Sequence, residues 1–237
     1  MRGLQGRVIE GVGRAIVRGD YAPGELVPKE SDLTEEYGVS RTSVREAMRV
    51  LAAKGLVDIR QKIGTRVRLH EQWNLFDVDI LRWHEEAGRG DSILRDLVEF
   101  RQIIEPQAAR LAAQHASDDD RERIDAALEA MDLAIADRDA YAHADVEFHR
   151  AVYAASHNVL LRQFGSVVAD FMRLSFRIQQ EVTPDAAFTA DVERHAAVQR
   201  AITAQKGDKA AEAMGDVVLD AKATLIQALA ARQSSGL

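Results

Sequence analysis

Residues 28–67 read PKESDLTEEYGVSRTSVREAMRVLAAKGLVDIRQKIGTRV, a pattern of two short helices, a tight turn and a two-stranded hairpin. Ser40 is a favourable N-cap for the second helix, and Gly38 suits the turn before it because glycine tolerates positive φ. Alternating apolar and polar residues then predict two strands, which are joined by a turn at residues 62–64. The stretch therefore predicts a helix-turn-helix followed by a β-hairpin, or wing.

The second helix of this motif carries basic residues on one face. Arg41, Arg45 and Arg49 recur every four residues, which places the three guanidinium groups on the same side of a helix. A basic face on the second helix of a helix-turn-helix suits the major groove of DNA. A solvated helix face is the plain alternative for three arginines alone, but the cap, turn and hairpin around them favour DNA binding.

Charge is distributed unevenly along the chain. The 237 residues carry a net charge of −7, whereas residues 1–70 contain 13 Lys or Arg and 9 Asp or Glu, a net charge of +4 that leaves −11 for the rest. A basic module joined to an acidic body is the asymmetry expected of a DNA-binding regulator. Phosphate attraction acts over roughly a Debye length of 10 Å, so a distant acidic domain has little effect on it.

Composition also restricts the class of protein. The sequence has no cysteine, which excludes disulfides and thiolate metal sites. No apolar run approaches the ~20 residues of a membrane span, and the first residues lack the apolar core of a signal peptide. We therefore expect a cytoplasmic protein.

The pattern divides the chain into three segments and predicts a mainly α fold. We expect a winged helix-turn-helix DNA-binding domain at residues 1–70, a connector at 71–90, and an all-helical effector-binding and dimerisation domain at 91–232. The connector contains both tryptophans and is apolar enough to form a short helix against one of the two domains. The last segment predicts an antiparallel bundle held by apolar stripes. Its helices are expected at about 92–115, 118–137, 139–156, 159–181, 185–205 and 208–232.

One group of polar residues in the predicted bundle suggests a site for a metal and a carboxylate ligand. Asp145 and His149 are four residues apart and share a helix face, while His195 and Arg101 come from other helices. One carboxylate and two imidazoles form a borderline metal site suited to zinc, nickel, manganese or iron. An arginine nearby would bind a carboxylate by two hydrogen bonds. The alternative to a metal site is that Asp145 and His149 form a surface pair and that His195 is an ordinary polar residue.

These motifs resemble a known family. VSRTSVREAMRVLAAKGLVDIRQKIGTRV, with PGE at 23–25, resembles the winged helix-turn-helix of GntR bacterial transcription regulators. EFRQIIEP (99–106), DVEFHRAVYAASHNVLL (145–161) and RHAAVQRAI (194–202) resemble the FCD effector domain of the FadR subfamily. The resemblance implies a transcription regulator whose effector binds in the bundle.

The resemblance and the helix face together suggest which residues contact DNA. Arg41 and Arg45 are expected at base edges or phosphates, and Arg49 on the backbone. The chain has Ser31 and Lys62 where the family usually has an arginine and a wing glycine. Because two-fold dimers match palindromic operators, we expect a homodimer. The expected DNA-binding residues are Ser40, Arg41, Thr42, Ser43, Arg45, Arg49 and Lys62.

The FCD resemblance also implies a divalent metal, held by an aspartate and three histidines beside a small carboxylate. Asp145, His149 and His195 match three of these ligands, but Val217 occupies the fourth position. Three outcomes remain open: a metal with three protein ligands, a weaker metal that depends on the effector, or effector binding without metal. Zinc is the expected metal, with nickel or manganese as alternatives.

The connector suggests the class of effector. WNLFDVDILRW (73–83) resembles sugar-acid repressors of the galactonate type. We therefore expect a hexonate or uronate, bound by Arg101 together with Asp145, His149 and His195, with lactate or a dicarboxylate as the competing ligand class. The expected function is a repressor that its effector releases from DNA.

Two other classes of protein fit this sequence less well. A metalloenzyme would use Asp145, His149 and His195 to activate water, but the sequence shows no recognisable general base or nucleophile, and we predict that the chain is not an enzyme. A purely architectural DNA binder has no need for these inward polar residues.

Overall fold

The computed structural model describes residues 3–60, 62–179 and 182–234. The chain divides at residue 91 into two compact units. Within the described ranges, no helix is both long and apolar enough to cross a lipid bilayer.

The first unit is a winged helix-turn-helix, as the sequence predicts. Ser40 caps the recognition helix with its Oγ accepting the Ser43 N–H, and Gly38 in the preceding turn has φ 62. The two strands pair antiparallel, with Val57 opposite Val67. The elements are α1 (Leu4–Arg18), α2 (Glu30–Tyr37), α3 (Arg41–Ala53), β1 (Val57–Arg60), β2 (Gly64–Val67), a 3₁₀ turn at His70–Gln72, and α4 (Val78–Glu86).

Residues 71–90, which the sequence suggested as a connector, lie in the first unit and pack on α1. The buried Trp83 ring lies so close to Gly13 that a Cβ there would approach it within 2.3 Å. Trp83 Nε1 also donates to Glu10 at 2.9 Å, and Lys54 binds Asp77 at 2.7 Å. These contacts join α4 to the DNA-binding core, so the compact unit extends past residue 70.

Within its described residues, the second unit contains six helices, close to the expected bounds. One difference has a local cause. The second helix stops at Leu133 rather than near 137, because Asp137 accepts the N–H groups of Asp139 and Ala140 and begins a new helix. Pro106 lies inside the first helix without ending it. The helices are α5 (Asp91–His115), α6 (Asp118–Leu133), α7 (Arg138–Ala155), α8 (Val159–Gln179), α9 (Asp185–Thr203) and α10 (Gly207–Ser234).

Candidate functional site

The basic face of α3 is exposed. Arg41, Arg45 and Arg49 all point to solvent, since Val44, Ala47, Met48 and Leu51 form the buried side of the same helix. Ser40 and Thr42 are exposed at its N-terminal end, and Ser43 is half-buried there. Six of the seven expected DNA-binding residues therefore lie on this helix or at its N-cap.

The seventh, Lys62, lies exposed in the wing turn with φ 66. This left-handed conformation is one that a non-glycine residue adopts only at some cost. The backbone geometry explains why glycine suits this position, while lysine adds a positive charge at the tip of the hairpin.

A polar cluster lies inside the second unit, where α5, α7 and α9 converge. His195 Nε2 lies 3.0 Å from Asp145 Oδ1 and 3.4 Å from His149 Nε2. His149 Nε2 lies 3.9 Å from the same Asp145 oxygen. All three side chains are buried, and their ligand atoms lie within 4.8 Å of one another.

The hydrogen bonds around this cluster fit a divalent cation. His195 Nδ1 lies 2.8 Å from the Asp191 carbonyl oxygen, which only accepts, so Nδ1 carries the proton and Nε2 is free to coordinate. His149 Nδ1 lies 2.8 Å from Glu105 Oε2, although it is not aligned as a hydrogen bond. Backbone carbonyls and carboxylates behind ligating histidines are the usual outer partners of a metal site. The residues present would therefore hold a borderline metal through one oxygen and two nitrogen atoms.

Arg101 lines the same cavity, but its charge is already paired. Its Nε donates to Glu105 Oε1 at 2.6 Å and its Nη2 lies 3.3 Å from Glu105 Oε2. Both residues are buried. Sequence reasoning missed Glu105, although it stands four residues after Arg101 and thus on the same helix face.

The buried charges shift one another's proton affinities. Burial alone would lower the pKa of His195, but the charge of Asp191 and the hydrogen bond to Asp145 raise it to about 9. Burial would raise the pKa of Glu105, but Arg101 and His149 lower it to about 2. Burial would likewise raise the pKa of Asp145, but its hydrogen bond to His195 and the surrounding positive charges together lower it. Without a cation, the site is thus held by a charged imidazole between carboxylates.

Comparison with known proteins agrees with both halves of this architecture. The model of bacterial regulatory proteins of the gntR family matches residues 4–67, and the FCD domain model matches residues 96–220. The chain belongs to the GntR family. Its family models and relatives are those of transcription regulators, not of enzymes.

Two curated relatives of this GntR regulator come from Escherichia coli K12. The chain is 34% identical over 207 residues to the galactonate operon transcriptional repressor, covering 87% of this chain and 90% of that protein. It is 33% identical over 219 residues to a putative L-lactate dehydrogenase operon regulatory protein, covering 90% of this chain and 83% of that protein. A solved GntR structure from Streptococcus agalactiae superimposes with a TM-score of 0.53 at 22% identity, covering 92% of this chain and 98% of that one, which supports the fold.

The cavity of this GntR regulator extends outward from the polar cluster. Its volume is about 70 Å³, and the buried Val217 forms part of the wall. Several lining groups that the sequence pattern had not indicated bond one another in pairs. These pairs are Tyr141 Oη with Asp191 at 2.7 Å, Gln179 Nε2 with Ser175 Oγ at 2.6 Å, and Asp220 with the neighbouring Arg194 at 2.8 Å.

Proposed function

We propose that this GntR regulator is a repressor released from its operator by a small carboxylate effector, such as a hexonate or uronate. The effector binds in the FCD cavity beside a divalent metal, zinc above nickel or manganese, held by Asp145, His149 and His195. The convergence of these three side chains with Arg101 around one cavity carries the proposal. The similarity to a galactonate operon repressor supports the class of effector.

The charges of the cavity explain why a metal matters for an acidic ligand. Arg101 is neutralised by Glu105, and the protonated His195 and Arg194 together do not fully offset the three further carboxylates along the wall, Asp145, Asp191 and Asp220. An organic anion entering without a cation therefore meets a site that disfavours it. A bound divalent ion supplies Lewis-acid attraction for carboxylate and hydroxyl oxygens.

The chain's own residues prepare this site. Asp191 orients His195 through Nδ1, and Glu105 stands behind His149. Because His195 holds a proton when no cation is present, binding of a metal would release that proton. Val217 has no donor atom, so effector oxygens or water would supply the ligands that Asp145, His149 and His195 do not.

A smaller organic acid, such as lactate or a dicarboxylate, is the second candidate. The cavity of about 70 Å³ lies below the roughly 300–1,000 Å³ of sites for drug-sized ligands. A six-carbon acid requires side chains at the mouth to rotate, whereas lactate requires less. The similarity to a putative L-lactate dehydrogenase operon regulatory protein supports this class as well.

On the DNA side, we propose contacts from Ser40, Arg41, Thr42, Ser43, Arg45, Arg49 and Lys62. The bidentate geometry of arginine suits guanine edges and phosphates. A homodimer presents two such faces to a palindromic operator. The effector releases DNA by binding more tightly to the conformation that binds operator less well.

A thermal-shift screen tests the effector class. Galactonate, a uronate, lactate and a dicarboxylate are added to protein loaded with zinc and to protein stripped with a chelator. A ligand at 100 times its Kd stabilises the folded protein by about 2.7 kcal/mol, which raises Tm by several degrees. We expect a shift from one acid in the metal-loaded protein only, and release of an operator fragment by the same acid. An equal shift in stripped protein contradicts the metal's role, and no shift from any acid contradicts the effector class.

A further inference from the structure

A side-chain pair joins the two helices of the helix-turn-helix. Arg45, in the middle of α3, places its Nε 2.9 Å from Glu30 Oε2 and 3.1 Å from Glu30 Oε1. Glu30 is the first residue of α2, where the helix dipole favours a carboxylate. The acceptor therefore comes from a different helix than the arginine it binds.

The contact leaves one edge of the guanidinium available. Glu30 engages only Nε, and neither Nη atom of Arg45 has a hydrogen-bond partner in the part of the chain that the structure describes. Two N–H groups side by side are what a guanine edge or a phosphate accepts. The hydrogen bonds from Nε to Glu30 fix the plane of the guanidinium group, while its two terminal nitrogens stay free for DNA.

The Arg45–Glu30 ion pair contributes little to the stability of the fold. The side chains of Arg45 and Glu30 are 63% and 44% exposed, and exposed ion pairs contribute little to the free energy of unfolding. Its effect lies instead in the order it imposes, since immobilising a long side chain on binding costs roughly 0.5–1.5 kcal/mol. An arginine that is already oriented avoids part of this cost.

The other two arginines of the face are held differently. Arg49 pairs with Glu46 of its own helix, and Arg41 has no hydrogen bond or ion pair within residues 3–60, 62–179 and 182–234. Among these three, Arg45 alone is braced from outside α3. Glu30 also adds a negative charge near the DNA-facing surface. This charge repels the phosphates of any DNA sequence, so it weakens binding that lacks specific base contacts.

We propose that Glu30 is a positioning residue that sets how well Arg45 discriminates operator from other DNA. The carboxylate orients the guanidinium toward a base edge and weakens sequence-independent binding. This inference rests on the proposed DNA contact of Arg45, and on no property of the effector domain.

The test uses the full chain and a DNA fragment that the wild-type protein selects from a random pool. The Kd is measured for this fragment and for a scrambled one of equal length, in Glu30→Ala, Glu30→Gln, Arg45→Ala and the Glu30→Ala/Arg45→Ala double variant. Glu35→Ala is the matched control, because Glu35 is an exposed carboxylate of the same helix and makes no hydrogen bond or ion pair with Arg45 within the described ranges. Unfolding curves establish that each variant is folded.

We expect Glu30→Ala to lower the ratio of specific to non-specific affinity by about 3- to 10-fold, the range that fixing one side chain implies. Binding to scrambled DNA stays equal or tightens, Glu30→Gln falls between, and Glu35→Ala keeps the ratio. In the Arg45→Ala background, removing Glu30 changes the ratio no further. An unchanged ratio in Glu30→Ala, when Arg45→Ala lowers it, overturns the positioning role alone. An unchanged ratio in Arg45→Ala overturns the Arg45 contact itself, and the inference with it.

Discussion

The Nε2 atoms of His149 and His195 face each other at 3.4 Å, although 46 residues separate them along the chain. Because His195 Nδ1–H donates a hydrogen bond to the Asp191 carbonyl, the Nε2 of the neutral His195 ring presents a lone pair. Two imidazole lone pairs at this distance repel unless a proton or a cation lies with them. The carboxylate of Asp145, 3.0 Å from His195 Nε2, favours either one.

His149→Ala should remove the metal site. The remaining Asp145 and His195 supply only two ligands, so we expect metal affinity to fall by more than the roughly 10- to 100-fold that loss of an outer partner costs. Metal analysis of purified protein and competition with a chromogenic chelator measure this. His143→Ala is the control, since His143 is an exposed histidine of the same helix. Undiminished metal content in His149→Ala means that the ion lies elsewhere.

Val217→His should convert the three-ligand site into one with four. Val217 lines the cavity and is buried, so an imidazole there is directed toward the cluster. We expect slower metal release to a chelator, together with a loss of stability of about 1–3 kcal/mol from the larger side chain. Leu219→His, at a position 53% exposed on the same helix, should leave release unchanged. Faster release in Val217→His argues that this wall does not face the ion.

Lys62→Gly should separate the geometry of the wing from its charge. Glycine avoids the roughly 1–2 kcal/mol cost of a left-handed residue but makes the unfolded chain more flexible, so we expect a stability change within about 1 kcal/mol. Loss of one phosphate contact should weaken DNA binding. It should also reduce the steepness of the plot of log binding constant against log salt concentration by about 1. Lys62→Asn removes the charge with a side chain that tolerates this conformation. DNA binding that falls in one variant only points to backbone geometry instead of charge.

Asp120→Asn should destabilise the second unit in a pH-dependent way. The Asp120 carboxylate accepts hydrogen bonds from Ser117 and from His157 Nε2 at 2.7 Å. Burial would raise its pKa, but these bonds lower it from 3.8 to about 2. A lowered carboxylate pKa stabilises the fold above the unfolded value, and this contribution is lost as pH falls through the folded value.

The measurement is the difference in unfolding free energy between wild type and Asp120→Asn as a function of pH. Above pH 4 we expect the unfolding free energy of Asp120→Asn to be about 1–2 kcal/mol lower than that of wild type, including the loss of the helix cap. This difference should decline toward zero near pH 2. Asp119→Asn, which removes a neighbouring exposed charge of the same helix turn, is the comparison. A difference that stays constant from pH 5 to pH 2 rules out Asp120 as the titrating group.

Local patterns were enough to predict most elements of this fold. The recognition helix and its cap at Ser40, the turn at Gly38 and the bundle helices follow from periodicity and capping, which depend on residues three or four apart. The same short range lets the sequence alone place Asp145 and His149 on one helix face. The connector was harder, because Trp83 reaches Glu10 and Gly13, residues that only the folded chain brings near it.

By itself, the sequence determined a basic helix-turn-helix, an acidic helical body and the residue types for a metal and an acid. Tertiary structure alone decided that the Arg101–Glu105 pair is buried, that His195 meets Asp145 and His149, and that Glu30 braces Arg45. The physical reason is range: helix formation and capping are local, whereas the charge and direction of a side chain depend on whichever groups pack against it from other helices.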